Sequence, residues 1–113
     1  MHEMAIAEGI LSVALGYGEK NKAKRIGKIA LKIGEMSGVE IDALNFSFKI
    51  IAAGTLAEGA ELAVERVPLV GKCHKCGREM PVKDYNFWCP YCENGVLNIV
   101  SGREMQVAYL EVE

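Results

Sequence analysis

The sequence lacks the features that mark membrane, secreted and nucleic-acid-binding proteins. No apolar run approaches the length of a membrane span, because Glu8, Lys28, Lys32 or Lys49 interrupts each of the longest. No basic stretch precedes an apolar run at the N-terminus, so no secretory signal is expected. Positive charge is not in excess, since 13 Lys and Arg face 15 Asp and Glu and the net charge is −2. A cytoplasmic protein with no nucleic-acid or membrane partner is therefore predicted.

Cysteine is absent outside one short stretch of the chain. The four cysteines, Cys73, Cys76, Cys89 and Cys92, lie within twenty residues. In a reducing compartment such clustering indicates metal binding rather than disulfide bonds. With 113 residues, half of them apolar, the chain has room for one domain with at most one small appendage.

The hydrophobic pattern outside the cysteine stretch predicts two helices and three strands. Apolar residues recur at helical spacing from Met4 to about Glu19, and again from Ile41 to Ile51. Apolar alternation or a β-rich composition predicts strands over 28–33, 61–67 and 103–112. We therefore expect an α+β fold with a small mixed sheet of about three strands and two helices.

The cysteine stretch falls between the second and third predicted strands. It is therefore an insertion in the helix-and-sheet domain rather than a tail. We expect residues 1–70 and 96–113 to form the α+β domain and residues 71–95 to form the inserted domain.

The spacing of the cysteines is typical of a zinc ribbon. Each pair has two residues between its thiolates, so one tight turn presents both sulfurs to one ion, and twelve residues separate the pairs. Four thiolates leave no open position for water or substrate, which favours a structural Zn(II) site. A rubredoxin-type iron site uses the same ligands and is the alternative.

The other side chains of the cysteine stretch have structural interpretations. His74 lies between the first two ligands and is expected to be exposed or to support the site rather than bind the metal. The aromatic residues are expected to form a small core around the zinc rather than to stack on bases; they are Tyr85, Phe87, Trp88 and Tyr91.

The first three residues form a candidate second metal site. A bulky second residue favours retention of Met1, so His2 stays second in the mature chain. The Met1 α-amine, the His2 amide nitrogen and the His2 imidazole can then form fused chelate rings in one plane, a geometry that suits Ni(II) or Cu(II). Glu3 can supply a fourth metal ligand, through its amide nitrogen or its carboxylate, or it can support the other ligands without binding the ion itself. The alternative is a frayed terminus without function.

Several segments together resemble the HypA/HybF family, in the same order along essentially the whole chain. Besides the paired cysteine motifs, they are 1–4, 33–40, 52–61 and 101–105. The resemblance implies a nickel metallochaperone for hydrogenase maturation, with Ni(II) as transient cargo at Met1 and His2, Glu3 in the same motif, and structural Zn(II) on the four cysteines. Residues 1–70 and 96–113 would then be the nickel-binding domain.

The resemblance also implies partners. They are a HypB-type GTPase and the large subunit of a nickel-iron hydrogenase, and in some organisms the family also serves urease maturation. A monomer and a homodimer are both compatible with the sequence. A carrier role agrees with the chemistry, because a few nitrogen ligands at a terminus can release their ion, whereas a thiolate cage retains its own.

Three other functions compete with this interpretation. A nucleic-acid-binding ribbon would need a basic stripe, but residues 71–100 have only a weak positive surplus. An enzyme would need a nucleophile, a phosphate loop or paired acids, and no such set is recognisable, so we predict no catalytic activity. An interaction module that binds no nickel is the third alternative.

Overall fold

The computed structural model describes residues 2–113 and divides the chain into two compact units. Of the described residues, the first unit contains those up to Lys32, together with Gly38–Glu65 and Gln106–Glu113. The second unit contains Ile33–Ser37 and Arg66–Met105. None of the helices in the described chain is both long enough and apolar enough to cross a membrane.

Two α-helices and six strands follow one another along the chain. They are α1 (Glu3–Lys20), β1 (Ile26–Gly34), α2 (Ile41–Ala52), β2 (Glu61–Val67), β3 (Val70–Cys73), β4 (Glu79–Pro81), β5 (Leu97–Ser101) and β6 (Met105–Val112). A short 3-10 turn, Glu35–Ser37, follows β1. The predicted α+β class is confirmed, with two helices and a three-stranded sheet in the order β2-β1-β6.

The two helices of the first unit pack against each other through their apolar faces. On α1 this face is made of small residues and one isoleucine: Ala7, Ile10, Ala14 and Gly18. Leu44 and Phe48 are the large buried residues of α2. Small side chains on α1 allow the helix backbone to approach its neighbours closely. At Gly18, an added Cβ would lie 3.1 Å from the Cδ1 atom of Ile26.

Strand β1 is the central strand of the first sheet and is longer than predicted. It begins at Ile26, whose side chain is fully buried, and ends at Gly34. Ile26 does not continue the alternation of apolar residues that begins at Ile29, so the sequence pattern alone leaves it outside the strand. In the structure, packing against α1 buries Ile26, and this burial extends β1 to include it.

The second unit is built on an antiparallel sheet in the order β4-β3-β5. Its core contains two of the cysteines, with Leu69, Val82 and Leu97 around them. The 3-10 turn belongs to the same unit, where the backbone N–H of Leu69 donates a hydrogen bond to Glu35 Oε2 at 3.1 Å. Because β5 pairs with β3, this unit contains residues on both sides of the segment 71–95, whose role as a separate inserted domain stays a prediction.

Candidate metal centre

The four cysteines lie together in the second unit. Their Sγ atoms are all within 4.8 Å of one another, and those of Cys76 and Cys89 are 3.9 Å apart. Cys73 ends β3, and Cys89 follows an isolated bridge between Trp88 and Val96. The sheet therefore brings the two paired motifs together across the twelve residues that separate them.

Backbone N–H groups point at the sulfurs in both turns, as the cysteine spacing predicts. The N–H groups of Lys75 and Cys76 donate to Cys73 Sγ at 3.4 and 3.5 Å, and that of Tyr91 donates to Cys89 Sγ at 3.4 Å. Gly77 follows the first pair with a φ of +75°. These donors stabilise thiolate sulfur, which is the form that binds a metal ion.

Gly95 is a residue of the centre that cysteine spacing does not reveal. A Cβ atom there would lie 2.9 Å from Cys92 Cβ, 3.0 Å from Cys89 Cβ and 3.1 Å from Cys73 Sγ. The backbone N–H of Cys89 donates to the Gly95 carbonyl at 2.9 Å. Glycine is therefore required for the backbone to pass this close to three of the cysteines.

The thiols affect one another's ionisation. Hydrogen bonds from backbone N–H groups, that of Cys76 first, lower the pKa of Cys73 to about 6. Hydrogen bonding to Cys76, together with burial, raises the pKa of Cys92 to about 12. Four sulfurs this close ionise together only when a cation offsets their charge.

The centre fits a tetrahedral ion held by four thiolates. Zinc–sulfur bonds of about 2.3 Å place tetrahedral sulfurs about 3.8 Å apart. The Cys76–Cys89 separation of 3.9 Å matches this value, and all four Sγ atoms lie within 4.8 Å of one another. His74 stays outside the sulfur cluster, because its Nδ1 atom accepts a hydrogen bond from the Val96 N–H at 3.1 Å.

The expectation that all four aromatic residues form a core around the metal is wrong for three of them. Only Phe87 packs against the buried cluster. Tyr85, Trp88 and Tyr91 are 66%, 64% and 67% exposed. Leu69, Val82, Leu97 and two of the cysteines form the buried cluster, and these three rings are not among the residues packed against it. The Arg78 guanidinium instead lies 4.5 Å from the centre of the Tyr91 ring.

Of the predicted nickel residues, His2 and Glu3 lie at the start of α1. Met1 is outside the described residues. His2 is exposed, precedes the helix, and makes no side-chain capping hydrogen bond. Its carbonyl accepts from the Ile6 N–H at 3.1 Å. The first N–H groups of a helix have no acceptor within it, so the amide nitrogens of His2 and Glu3 lack intrahelical partners.

Glu40, which precedes α2, contacts the Glu3 carboxylate. The backbone N–H of Glu40 donates to Glu3 Oε2 at 3.1 Å. The Glu40 side chain in turn accepts from the Asp42 N–H at 3.2 Å and caps α2. The N-terminal motif is thereby connected to the start of the second helix, over a sequence distance of 37 residues.

This hydrogen bond predicts a pH dependence. Donation by the Glu40 N–H lowers the pKa of Glu3, so the ionised carboxylate is favoured in the folded protein. The contribution of the bond to stability is present at neutral pH and is lost as the pH falls through the lowered pKa. In an NMR titration of metal-free protein, the Glu40 amide should follow a midpoint below the ordinary glutamate range. Glu3→Gln should abolish this titration; an unchanged curve would contradict the assignment.

Together, the two units define a small metal-binding protein with a closed four-sulfur centre and a histidine-bearing N-terminal segment. The family model described as "Hydrogenase/urease nickel incorporation, metallochaperone, hypA" matches residues 1–112. The chain is 42% identical over 114 residues to the hydrogenase maturation factor HypA of Geobacter metallireducens and 43% identical over 113 residues to that of Geobacter sulfurreducens. Each alignment covers 100% of both chains.

Two solved structures share the fold. A solution structure of a HypA protein aligns with a TM-score of 0.76 over 100% of this chain and 97% of that one. The nickel metallochaperone HypA of Helicobacter pylori aligns with a TM-score of 0.69 over 99% and 97%. Both are 22% identical in sequence and show the fold alone.

The chain belongs to the HypA family. Members of this family are metallochaperones for nickel incorporation in hydrogenase maturation, not enzymes. The resemblance drawn from the sequence motifs is therefore confirmed. The partners of the chain are accordingly related to hydrogenase maturation.

Proposed function

We propose that the chain binds Ni(II) at its N-terminus and delivers it, with a HypB-type GTPase, to the large subunit of a nickel-iron hydrogenase. The ligands are the Met1 α-amine, the His2 amide nitrogen and the His2 imidazole. Structural Zn(II) on the four cysteines maintains the ribbon. The observation that supports the nickel site most directly is the exposed His2 side chain, which makes no capping hydrogen bond at the start of α1.

The position of His2 suits a carrier that must release its ion. A helix N-terminus has a partial positive charge, which opposes a cation. The His2 amide nitrogen offsets this charge when it binds without its proton, whereas the neutral imidazole brings no negative charge. The Glu3 carboxylate is already engaged by the Glu40 N–H. We therefore propose that Glu3 positions the terminus and takes part in transfer, rather than ligating nickel.

Zinc is the metal proposed for the cysteine centre because the ligand set and geometry suit it. Four thiolates in a tetrahedron form a closed site, and such sites are structural. Two of the sulfurs belong to the core of the second unit, so the ion joins the two turns to the sheet. Nickel delivery requires an ion that a partner can reach, whereas a closed four-thiolate site retains its ion. We therefore assign the two metals to separate sites.

The proposed nickel site is tested by isothermal titration of the untagged protein with Ni(II). We expect saturable binding of about one ion per chain. A flat titration would leave the chain an interaction module without nickel cargo. The same sample should contain zinc before nickel is added, which separates the two sites in one preparation.

We propose that the GTPase contacts α2 or the preceding turn of residues 35–40, rather than the cysteine turns. The helix presents exposed apolar side chains there, Phe46 and Ile50, as a docking surface requires. Glu40 is exposed at the same end of the helix as the turn. The partner proposed for this surface is the GTPase of the same maturation system.

Replacing the Glu40 carboxylate is expected to weaken the complex with the GTPase. Glu40→Gln keeps an oxygen that accepts from the Asp42 N–H, so it removes the charge and retains the cap. Loss of one interfacial charge pair should reduce the affinity about three- to tenfold, measured by pull-down and titration at low salt. If Glu40→Gln binds normally while Lys75→Glu or Arg78→Glu does not, the contact is on the ribbon instead.

A further inference from the structure

Within residues 2–113, strand β2 has one edge that no other strand covers. The sheet of the first unit has the order β2-β1-β6, so β2 pairs with β1 along one side only. Alternate backbone N–H and C=O groups on its other side point away from the sheet. Such an edge can accept an additional strand, and proteins usually protect it.

A groove lies beside this edge, at the start of β2. It has a volume of about 570 Å³ and runs between α2 and the residues 59–62. Phe46 lines it and is 68% exposed, whereas Phe48 is nearly fully buried at its base. An exposed phenylalanine next to an open strand edge leaves apolar surface and backbone hydrogen-bonding groups available side by side.

The turn that leads into the strand side of the groove is held by local hydrogen bonds. In this turn, between α2 and β2, the Gly54 N–H donates to Glu58 Oε1 at 3.1 Å and the Ala57 N–H donates to Thr55 Oγ1 at 3.1 Å. The N–H of Ala60, which lines the groove, donates to the Ala57 carbonyl at 2.9 Å. The strand side of the groove is thus anchored at Ala60, which lowers the cost of ordering when a ligand binds.

The charges around the groove favour an acidic occupant on the helix side. Lys49 lines the groove from α2 and forms no ion pair within residues 2–113. Glu61 lies on the strand side, where Lys28 interacts with it electrostatically. Lys49 is therefore the cation of the groove, and the charge of Glu61 is partly offset by Lys28, which also pairs with Glu111.

The dimensions favour a short extended segment over a folded partner. The seven residues of β2 span about 23 Å, and the groove lies beside the first two of them, Glu61 and Leu62. A stable interface between folded chains needs about 800 Å² on each partner, far more than this groove provides. An extended peptide gains main-chain hydrogen bonds from the strand edge and needs pockets only for alternate side chains.

We propose that an extended peptide segment of a partner protein adds to the open edge of β2, with an apolar side chain against Phe46 and a carboxylate near Lys49. Recognition of this kind reads alternate side chains, so it selects a short motif rather than a folded surface. The site is independent of nickel and zinc, and it shares Phe46 with the docking surface proposed for the GTPase.

The test uses an array of acetylated, amidated octapeptides in which Val, Ile or Phe alternates with Ser, and one Ser is replaced by Asp or Lys. We expect the Asp peptides to shift the amide signals of residues 59–64 in NMR spectra of the full-length protein. Phe46→Ala should weaken binding about tenfold. Ile50→Ala is the matched control, since Ile50 is 54% exposed on the same helix and does not line the groove, and it should bind normally.

Two further variants test the charge and the backbone pairing. Lys49→Glu should reverse the preference, so that Lys peptides bind better than Asp peptides. Every second N–H group of a bound peptide faces β2. N-methylation of these N–H groups should abolish binding, whereas N-methylation of the other set should leave binding intact.

The proposal is overturned if no peptide binds at millimolar concentration, if the chemical shift changes map to β6, or if the two N-methylated peptides bind equally. A dimer in sedimentation experiments that Phe46→Ala dissociates would assign the groove to a second copy instead. None of these readouts requires nickel, so failure here is distinguishable from failure of the nickel site. Metal content of each variant is measured as the control for folding.

Discussion

One extra residue placed ahead of Met1 is expected to abolish Ni(II) binding. The extension converts the terminal amine into an amide, which is a poor donor, and the fused chelate rings cannot form. His2→Ala should have the same result by a different route, since it removes the imidazole. We expect at least a hundredfold loss of affinity in both cases, measured by isothermal titration, with zinc content and fold unchanged.

The matched variant for this experiment is Glu3→Gln. It keeps the backbone amide and an oxygen able to accept from the Glu40 N–H, and deletes only the charge. Retained nickel affinity with impaired hydrogenase maturation is expected, whereas lost affinity would assign the Glu3 carboxylate to the metal. If the extended protein bound Ni(II) as tightly as the native one, with the same spectrum, the site at Met1 and His2 would be wrong.

Nickel affinity should also fall with pH. Imidazole and amide nitrogens bind the ion only after losing their protons, so protons compete with nickel. Binding is therefore expected to weaken as the pH falls through the range in which histidine becomes protonated.

Cys76→Ser is expected to release the zinc ion and to loosen the second unit. Zinc bound by small thiolate domains contributes about 10–16 kcal/mol of apparent binding free energy, which three sulfurs and an open position cannot maintain. Zinc content should drop from about one ion per chain to less than about a tenth. Amide signals of β3 and β5 should lose dispersion in NMR spectra, while those of α1 and α2 should not.

His74→Ala provides the control for the zinc experiment. Its ring lies in the same turn as Cys76 but is hydrogen-bonded to the Val96 backbone, outside the sulfur cluster. This variant should therefore retain its zinc. Visible absorption typical of iron–thiolate bonds in the protein as isolated would contradict the zinc assignment and support the rubredoxin-type alternative.

The elements of the first unit could be predicted because their apolar residues follow a pattern or are rich in β-forming types. Helix α2 was predicted from Ile41 to Ile51 and ends one residue later, and β2 has the bounds predicted for it. Helix α1 extends the predicted span by one residue at each end. Strand β6 begins two residues later than predicted, at Met105. Both helices bury an apolar face, whereas β2 and β6 contain only exposed and partly buried residues, so alternation and composition rather than burial indicate these two strands.

The strands of the second unit could not be predicted in this way. Strands β3, β4 and β5 have four, three and five residues, too few for alternation to be recognised. Gly71 occupies the middle of β3 because a Cβ there would lie 2.8 Å from Leu97 Cβ, and a glycine weakens any strand prediction. This sheet is specified by its hydrogen bonds and by the cysteine cluster.

The candidate sites were predicted to the extent that they are local in sequence. Cysteine spacing identifies four side chains that meet, because each turn is only four residues long. The contact between Glu3 and the Glu40 backbone joins residues far apart in the chain and involves a main-chain donor that every residue type except proline has. Only the packing of α1 beside α2 reveals it.

The unequal burial of the four sulfurs sets the route by which the metal centre exchanges ligands. Cys73 and Cys89 are buried, Cys92 is half-buried and Cys76 is exposed. We therefore expect a chelator or an oxidant to reach Cys76 first, which would leave a bound ion with the three remaining sulfurs while the fourth is replaced. The dissociation kinetics of such an ion would be governed by this one thiolate, whereas its equilibrium affinity would depend on all four.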